Sequence, residues 1–357
     1  MKRSFNLLLT VVIFASACSK KGGSGTTSVG PIVNTPMVTT FAGNGSAAAV
    51  DGTKAQASFN GPTGLSISSD GFLFVADKQN NIIRIISPQG VVNTIAGNTK
   101  IGFSNTKGAV TFNFPSGVGV DATGNVYVAD DDNSAIRRID PTGAVITFAG
   151  NGGQGSGNGL GTAAQFSGPT GVATDVVGNV YVADNGNNLI RKITPKGQVT
   201  TFAGSGSRGN ANGQGTAASF NQPQALTVDA GGNVYVADEG NNMIRKIAPD
   251  GTVTTLAGGG GSGAANGKGS AATFSSPAGV AVDSDGNVYV GDSGNNLIRK
   301  IAPDGTVTTL AGTGAAGSVN RTLMQSSFNS PQGVAVDQYG DVFVADTGNN
   351  LIRRVSQ

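Results

Sequence analysis

Residues 279 to 312 read GVAVDSDGNVYVGDSGNNLIRKIAPDGTVTTLAG. Four short apolar runs stand out, beginning at Gly279, Asn287, Leu297 and Thr306, and they are parted by Ser-Asp-Gly-Asn, Ser-Gly-Asn-Asn and Pro-Asp-Gly. Asp-Gly and Asn-Gly accept the φ > 0 positions of tight hairpins, and Val, Ile, Thr and Tyr suit a pleated sheet. No segment between the runs has the room or the periodicity for a long helix. The spacing predicts a four-stranded antiparallel meander. Val288-Tyr289-Val290 is apolar on both faces, so the small sheet must be covered on both sides, and its neighbours can only be its own copies.

Those copies are found by following single positions outward from this stretch. The proline before the first strand recurs as Pro62, Pro115, Pro169, Pro223, Pro277 and Pro331, and the aspartate closing the second strand as Asp77, Asp130, Asp184, Asp238, Asp292 and Asp346. Both series step by 53 once and then by 54. A fixed period with four strands per unit marks a propeller blade. The sixth copy stops at Arg353-Arg354-Val355-Ser356-Gln357 without a fourth strand, and Val38-Thr39-Thr40-Phe41-Ala42-Gly43 supplies it. The expected fold is therefore an all-β, six-bladed β-propeller with four antiparallel strands per blade, closed by one N-terminal strand joining the C-terminal blade. The repeats fall near 59-97, 114-150, 166-204, 220-258, 274-312, and 328-357 plus 37-43.

The unit, with Pro-x-Gly-Val-Ala-Val-Asp, Gly-Asn-Val-Tyr-Val-Ala-Asp, Gly-Asn-Asn-Leu-Ile-Arg-Lys-Ile and Pro-Asp-Gly-Thr-Val, resembles the NHL repeat from Met37 to Gln357. The resemblance implies a six-bladed β-propeller. It implies no single function, because NHL propellers include RNA binders, protein-interaction modules, extracellular sensor domains and a few lyases.

Ahead of the repeats, Lys2 and Arg3 precede the apolar segment Leu7 to Ala15, too short to span a bilayer but suited to an export signal, so residues 1-17 read as a signal peptide. Ala15-Ser16-Ala17-Cys18 resembles a bacterial lipobox, with Ala15 where Leu is usual, and implies lipidation of Cys18. The other reading is an ordinary secretory signal cleaved near Ala17. Residues 18-36, rich in Gly, Ser, Thr and Pro, read as the lipidated cysteine and a flexible tether. The expected location is that of an exported, membrane-anchored lipoprotein on the periplasmic or cell-surface side. A lone cysteine excludes a disulfide framework.

Two of the 23 basic residues, Lys2 and Arg3, fall in the leader, and the remaining 21 balance the 21 acidic ones. With no basic arm, nucleic acid is disfavoured as a partner. The 57 glycines fall mainly in turns and inter-blade connections, so they report hairpins and not disorder. A monomer is expected, with a core shared between blades.

A residue present in every blade is most simply explained by what every blade needs. The aspartates closing strand two (Asp77, Asp130, Asp184, Asp238, Asp292, Asp346) and the arginines of strand three (Arg84, Arg137, Arg191, Arg245, Arg299, Arg353) read as six structural clasps, since a carboxylate there can accept loop N–H groups and meet the guanidinium fork. Asp121, Asp175, Asp229, Asp283 and Asp337 suit Asx-turns, with Ser68 in the first blade. Tyr127, Tyr181, Tyr235 and Tyr289, with Phe74 and Phe343, read as inter-blade packing; Phe59, Phe114, Phe166, Phe220, Phe274 and Phe328 read as plugs between blades. The absence of Trp weakens a lectin reading.

By resemblance to other propellers, a ligand would sit where the inter-blade connections and the strand two-to-three loops share a face. The residues flanking each proline there are polar and uncharged: Asn60, Thr63, Ser116, Thr170, Gln222, Gln224, Ser275, Asn329 and Gln332. Such a rim suits a protein, peptide or glycan of the cell envelope. In the second blade, Asp130-Asp131-Asp132-Asn133 gathers the oxygen donors that Ca²⁺ takes, yet adjacent residues seldom converge on one ion without spaced partners. No cofactor is expected, and these three aspartates are the candidates should Ca²⁺ bind.

The chain has no His, which removes the commonest general base and the imidazole zinc ligand, so the histidine-dependent amidating lyases among NHL propellers cannot be carried over. A calcium-dependent lactonase on a six-bladed propeller would need Glu, Asp and Asn converging in the channel, and the only Glu is Glu239. The reading is a non-catalytic ligand- or protein-binding scaffold. The alternatives are a lyase- or lactonase-type enzyme with a Ca²⁺ site, and an extracellular sensor module.

Overall fold

The computed structural model describes residues 35–357. The leader, Cys18 and the tether up to residue 34 lie outside the described residues. Among those described, no helix is long and apolar enough to cross a membrane.

The sequence order of each repeat becomes the spatial order of its sheet. In the fifth blade, strands Pro277–Val282, Val288–Asp292, Leu297–Ile301 and Thr306–Ala311 form an antiparallel meander from the inside outward. The register sets Val280 opposite Val290, Val290 opposite Arg299 and Arg299 opposite Thr309. At the first hairpin Asp283 forms an Asx-turn: Oδ1 accepts the N–H groups of Asp285 and Asn287 at 3.0 and 2.8 Å, while Gly286 takes φ +82°. Five further sheets repeat this plan, making the all-β six-bladed propeller.

The sixth sheet is closed from both ends of the repeat region. Strand Val38–Ala42 pairs with Leu351–Val355 and becomes the outer strand of the blade that begins at Pro331. In four blades the Gly-rich connection adds a two-residue fifth strand, such as Gly267–Lys268 against Thr306 and Val307. Composition alone predicts only a loop there. The pairing is possible because Gly267 has φ +158° and a Cβ would press within about 3.0 Å of Ala271.

Six apolar clusters fill the ring, and each bridges a seam between neighbouring blades. At the closing seam Phe41, Phe343, Ala345 and Ile352 of the last blade pack on Phe59, Leu73, Val75 and Ile86 of the first. The phenylalanine ahead of each proline is wholly buried in these seams, but in the second blade that residue is Phe112, not Phe114. Phe114 stands one residue before Pro115, at φ +51°, where the chain turns into the inner strand.

Over each plug phenylalanine lies a buried arginine. Arg191 Nη1 meets Asp184 Oδ2 at 2.8 Å, both side chains are fully buried, and the guanidinium lies 5.2 Å from the centre of the Phe166 ring. The same ion pair recurs in all six blades at 2.6 to 2.9 Å. The second carboxylate oxygen accepts the backbone N–H of the residue after the plug, Ser167 for Asp184 at 2.8 Å. Nη2 reaches the preceding Gly-rich connection, at the Gly157 carbonyl and Asn158 Oδ1. Burial pushes these six carboxyls above the ordinary value, opposed by their N–H donors and by the arginine. One aspartate and one arginine thus tie the second strand, the third strand, the plug and the connection of each blade together.

Candidate ligand-binding face

Pro62 pairs with Asp77, so the starts of the inner strands and the turns after the second strands lie on one face. Each such turn is a short 3₁₀ segment ending in a left-handed residue, for example Asn242 at φ +51°. The Asn242 side-chain oxygen accepts the Ser276 N–H of the next blade at 2.9 Å, which locks neighbouring blades together at this face.

The nine polar residues flanking the prolines divide into three positions. Thr63, Ser116, Thr170, Gln224 and Gln332 follow their prolines and come together, with Ala278, around the upper end of the axial channel. Three are already engaged: Thr63 Oγ1 donates to the Ser116 carbonyl and Thr170 Oγ1 to the Gln224 carbonyl, both at 2.8 Å, and Gln224 Oε1 accepts from Asn185 Nδ2 at 3.2 Å. Asn60, Ser275 and Asn329 lie two residues before their prolines, and their N–H groups donate to the clasp carboxylates of Asp77, Asp292 and Asp346. Gln222, exposed at φ +53°, lies one before. These last four do not line the channel.

Below the ring of five the channel is almost shut. The next residue in five blades is Gly64, Gly117, Gly171, Gly279 or Gly333, and inner strands approach so closely there that a Cβ on Gly279 would lie 2.0 Å from the Gln332 carbonyl oxygen. Only about 50 Å³ is open at this level, widening to about 200 Å³ further down. A ligand of more than a few atoms would rest on the mouth and not enter the channel.

A second ring at the mouth is formed by the first residue of each 3₁₀ turn: Lys78, Asp131, Asn185, Glu239, Ser293 and Thr347. Lys78 Nζ meets Asp131 at 3.0 Å, Asn185 Nδ2 donates to the Pro223 carbonyl and to Gln224 Oε1, and Thr347 Oγ1 donates to the Pro62 carbonyl at 2.7 Å. Burial alone pushes the Glu239 carboxyl up. Because these residues differ from blade to blade they carry more potential for selectivity than the repeated ones; their shared position one residue after the clasp aspartate was the signal for grouping them.

The acidic run of the second blade disperses. Asp130 is the buried clasp partner of Arg137, Asp131 turns to Lys78, and Asp132 is exposed. Opposite demands on consecutive side chains keep the three carboxylates from meeting, and no group of three metal-ligating carboxylates or thiols occurs among the described residues.

With that geometry in view, five stretches match the NHL repeat family: residues 112–139, 166–193, 220–247, 274–301 and 328–354. The chain carries NHL repeats. The first blade lies outside the matched stretches; there Ser68, Phe72 and Ile85 stand where most NHL blades of this chain have Asp, Asn and a basic residue. The chain is 31% identical over 325 residues to NHL repeat-containing protein 2 of Homo sapiens, an alignment covering 79% of this chain and 44% of that protein. It spans less than half the length of the curated relatives it matches. Among solved structures, an auxiliary nutrient binding protein from Bacteroides thetaiotaomicron aligns with TM-score 0.69 at 18% identity, over 90% of this chain and 76% of that one. A gluconolactonase from Xanthomonas campestris aligns with TM-score 0.57 at 14% identity, over 90% and 95% of the two chains. At these identities the likeness is one of fold.

Proposed function

We propose that this NHL propeller is a non-catalytic binding scaffold of a bacterial cell envelope, exported and held to a membrane through a lipidated Cys18, and that it takes a peptide, protein or glycan at its channel mouth. The observation that carries the reading is the state of the repeated ionisable groups: all six aspartates and all six arginines are buried in clasps, so that apart from the paired Lys78 and Asp131 and the single carboxyl of Glu239 the mouth is lined by hydroxyls and amides over a nearly closed channel. Such groups hydrogen-bond a polar ligand and offer little to acid–base chemistry. The likeness in fold to an auxiliary nutrient binding protein is in keeping with this.

The test combines Gln224 and Gln332, both at the upper end of the channel, changed to Ala and titrates the folded variant by calorimetry with soluble envelope peptide and glycan fractions. Loss of every saturable heat seen with the wild type supports the mouth as the site; unchanged binding refutes it. Anchoring is tested separately by Cys18→Ser, which should shift the protein from the membrane to the soluble fraction.

The enzyme reading rests on one observation, the half-buried Glu239 carboxyl at the mouth, whose proton affinity desolvation raises. A lactone or lyase substrate turned over by the wild type and not by Glu239→Gln would favour it.

A further inference from the structure

In blades three, four and five a lysine of the third strand stands opposite the tyrosine of the second, and its amine lies over the ring: Lys192 over Tyr181 at 5.3 Å, Lys246 over Tyr235 at 5.4 Å and Lys300 over Tyr289 at 5.3 Å from the ring centre. Beside each ring is the Asx-turn carboxylate. Its Oδ2 accepts the tyrosine hydroxyl at 3.0 to 3.4 Å and the Nδ2 of Asn179, Asn233 or Asn287 at 2.7 to 2.8 Å. Each of these blades therefore holds an ammonium of its own against an aromatic face, next to a carboxylate whose acceptors are satisfied.

The last blade changes three of these four partners at once. Phe343 replaces the tyrosine and carries no hydroxyl; Asp341 replaces the asparagine and carries no N–H; Arg354 replaces the lysine. Asp337 Oδ1 still accepts the N–H groups of Tyr339 and Asp341, both at 2.9 Å, but Oδ2 has lost both side-chain donors. Arg354, opposite Phe343 in the register, is drawn off the ring by Asp341, which accepts from both its Nε and its Nη2.

Beside the displaced guanidinium is a cavity of about 530 Å³ between the last blade and the first, on the face opposite the channel mouth, with Arg354 itself forming part of one wall. Phe41 and Phe343, edge to face at 4.9 Å, line it together with Ile67 and Pro88. Asp337 and Asp70 stand on its two sides. Asp341 offsets the charge of Arg354, whereas Asp70 and Asp337 form no ion pair among the described residues.

We propose that this seam cavity binds a small organic ammonium, its charged head taking the place that the lysine amine takes in blades three to five and its apolar body lying on Phe41 and Phe343. The volume falls in the range of small-molecule pockets, and an aromatic wall beside carboxylates is the environment that attracts ligand cations. An anion is disfavoured by the two carboxylates and by the commitment of Arg354 to Asp341. The inference is independent of the reading of the mouth, which lies on the other face.

The test titrates the full chain with benzylammonium and benzyltrimethylammonium, and with benzyl alcohol and benzoate as neutral and anionic counterparts, by ligand-observed NMR and calorimetry. The ammonium ions are expected to bind at least tenfold more tightly than the alcohol or the carboxylate. Asp341→Asn combined with Phe343→Tyr rebuilds the arrangement of the other blades, returns both donors to Asp337 and releases Arg354; it should weaken ammonium binding at least tenfold. Asp337→Asn, at a half-buried hairpin position, should do the same while leaving benzyl alcohol unaffected, and serves should the double variant not fold. Benzoate or benzyl alcohol binding as well as the ammonium ions, no saturable ammonium binding at millimolar concentration, or undiminished binding by a folded Asp337→Asn would each overturn the proposal.

Discussion

Val38 and Val355 are opposite partners in the sheet of the last blade, both fully buried, although they belong to opposite ends of the described chain. The pairing is backed by Ser356 N–H donating to the Met37 carbonyl at 3.0 Å and Val38 N–H donating to the Arg321 carbonyl at 2.8 Å. The ring is thus shut without a covalent bond, by a strand that the chain joins to the first blade and that only pairing and burial hold in the last.

Deleting residues 37 to 43 should therefore lower stability by roughly 4 kcal/mol or more, since Val38 and Phe41 each contribute about 1.5–3 kcal/mol by burial and the third strand becomes an open edge. Urea unfolding of the full chain and the deletion variant measures this. An unchanged midpoint would mean the latch contributes nothing.

The clasps predict a different signature. Asp184→Ala leaves the Arg191 guanidinium buried without its counter-ion and the Ser167 N–H without an acceptor, which should cost about 3–5 kcal/mol. Asp184→Asn keeps an oxygen for the N–H and should fall between Ala and wild type. Binding at the mouth should decline only as far as the folded fraction does. An Asp184→Ala protein as stable as the wild type would remove the clasp from the account of the fold.

The parts of this fold that were legible are those fixed by alternation and period: the four strands of Gly279 to Gly312, their six copies, and the strand at Val38 that completes the last. Phe114 misled because it stands directly before Pro115, whereas every other plug lies three residues before its proline, as Phe59 before Pro62 and Phe166 before Pro169; that spacing, like the burial, identifies Phe112. The Asp51, Asn105, Asn158, Asn212, Asn266 and Asn320 side chains that receive Nη2 of the six arginines also follow the period, but they are hidden in Gly-rich connections where polarity reads as loop. The crowding at Gly279 and the seam cavity beside Phe343 depend on distances between blades, which no single repeat encodes.

That crowding can be tested directly. Gly279→Ala would place a methyl group against the Gln332 carbonyl oxygen, so two inner strands must part, at a cost of about 1–3 kcal/mol for overpacking. Gly261→Ala, where nothing lies within 4 Å of the added carbon, should stay within about 0.5 kcal/mol of wild type. Equal costs at the two sites in a denaturant titration would argue against a closed channel.

Glu239 contributes a pH dependence of its own beside that of the six clasp carboxyls, and comparison with a Gln variant isolates it. Burial raises its carboxyl above 4.5 in the folded chain, so between the unfolded and folded values the native state binds more protons than the unfolded one, and stability falls as pH rises through that window. Below the unfolded value Glu239 is neutral in both states and costs nothing; above the folded value the whole penalty is present. Glu239→Gln should therefore raise the melting temperature at pH 7 by roughly 1–2 °C, a fraction of a kcal/mol in a chain of this size, and the gain should vanish near pH 3. The comparison needs both proteins scanned at both pH values, because a gain that persisted at pH 3 would come from packing and not from charge. A loss of stability at pH 7 would mean that the carboxylate is held by a cationic or N–H partner at the mouth, the opposite of a group stranded by burial.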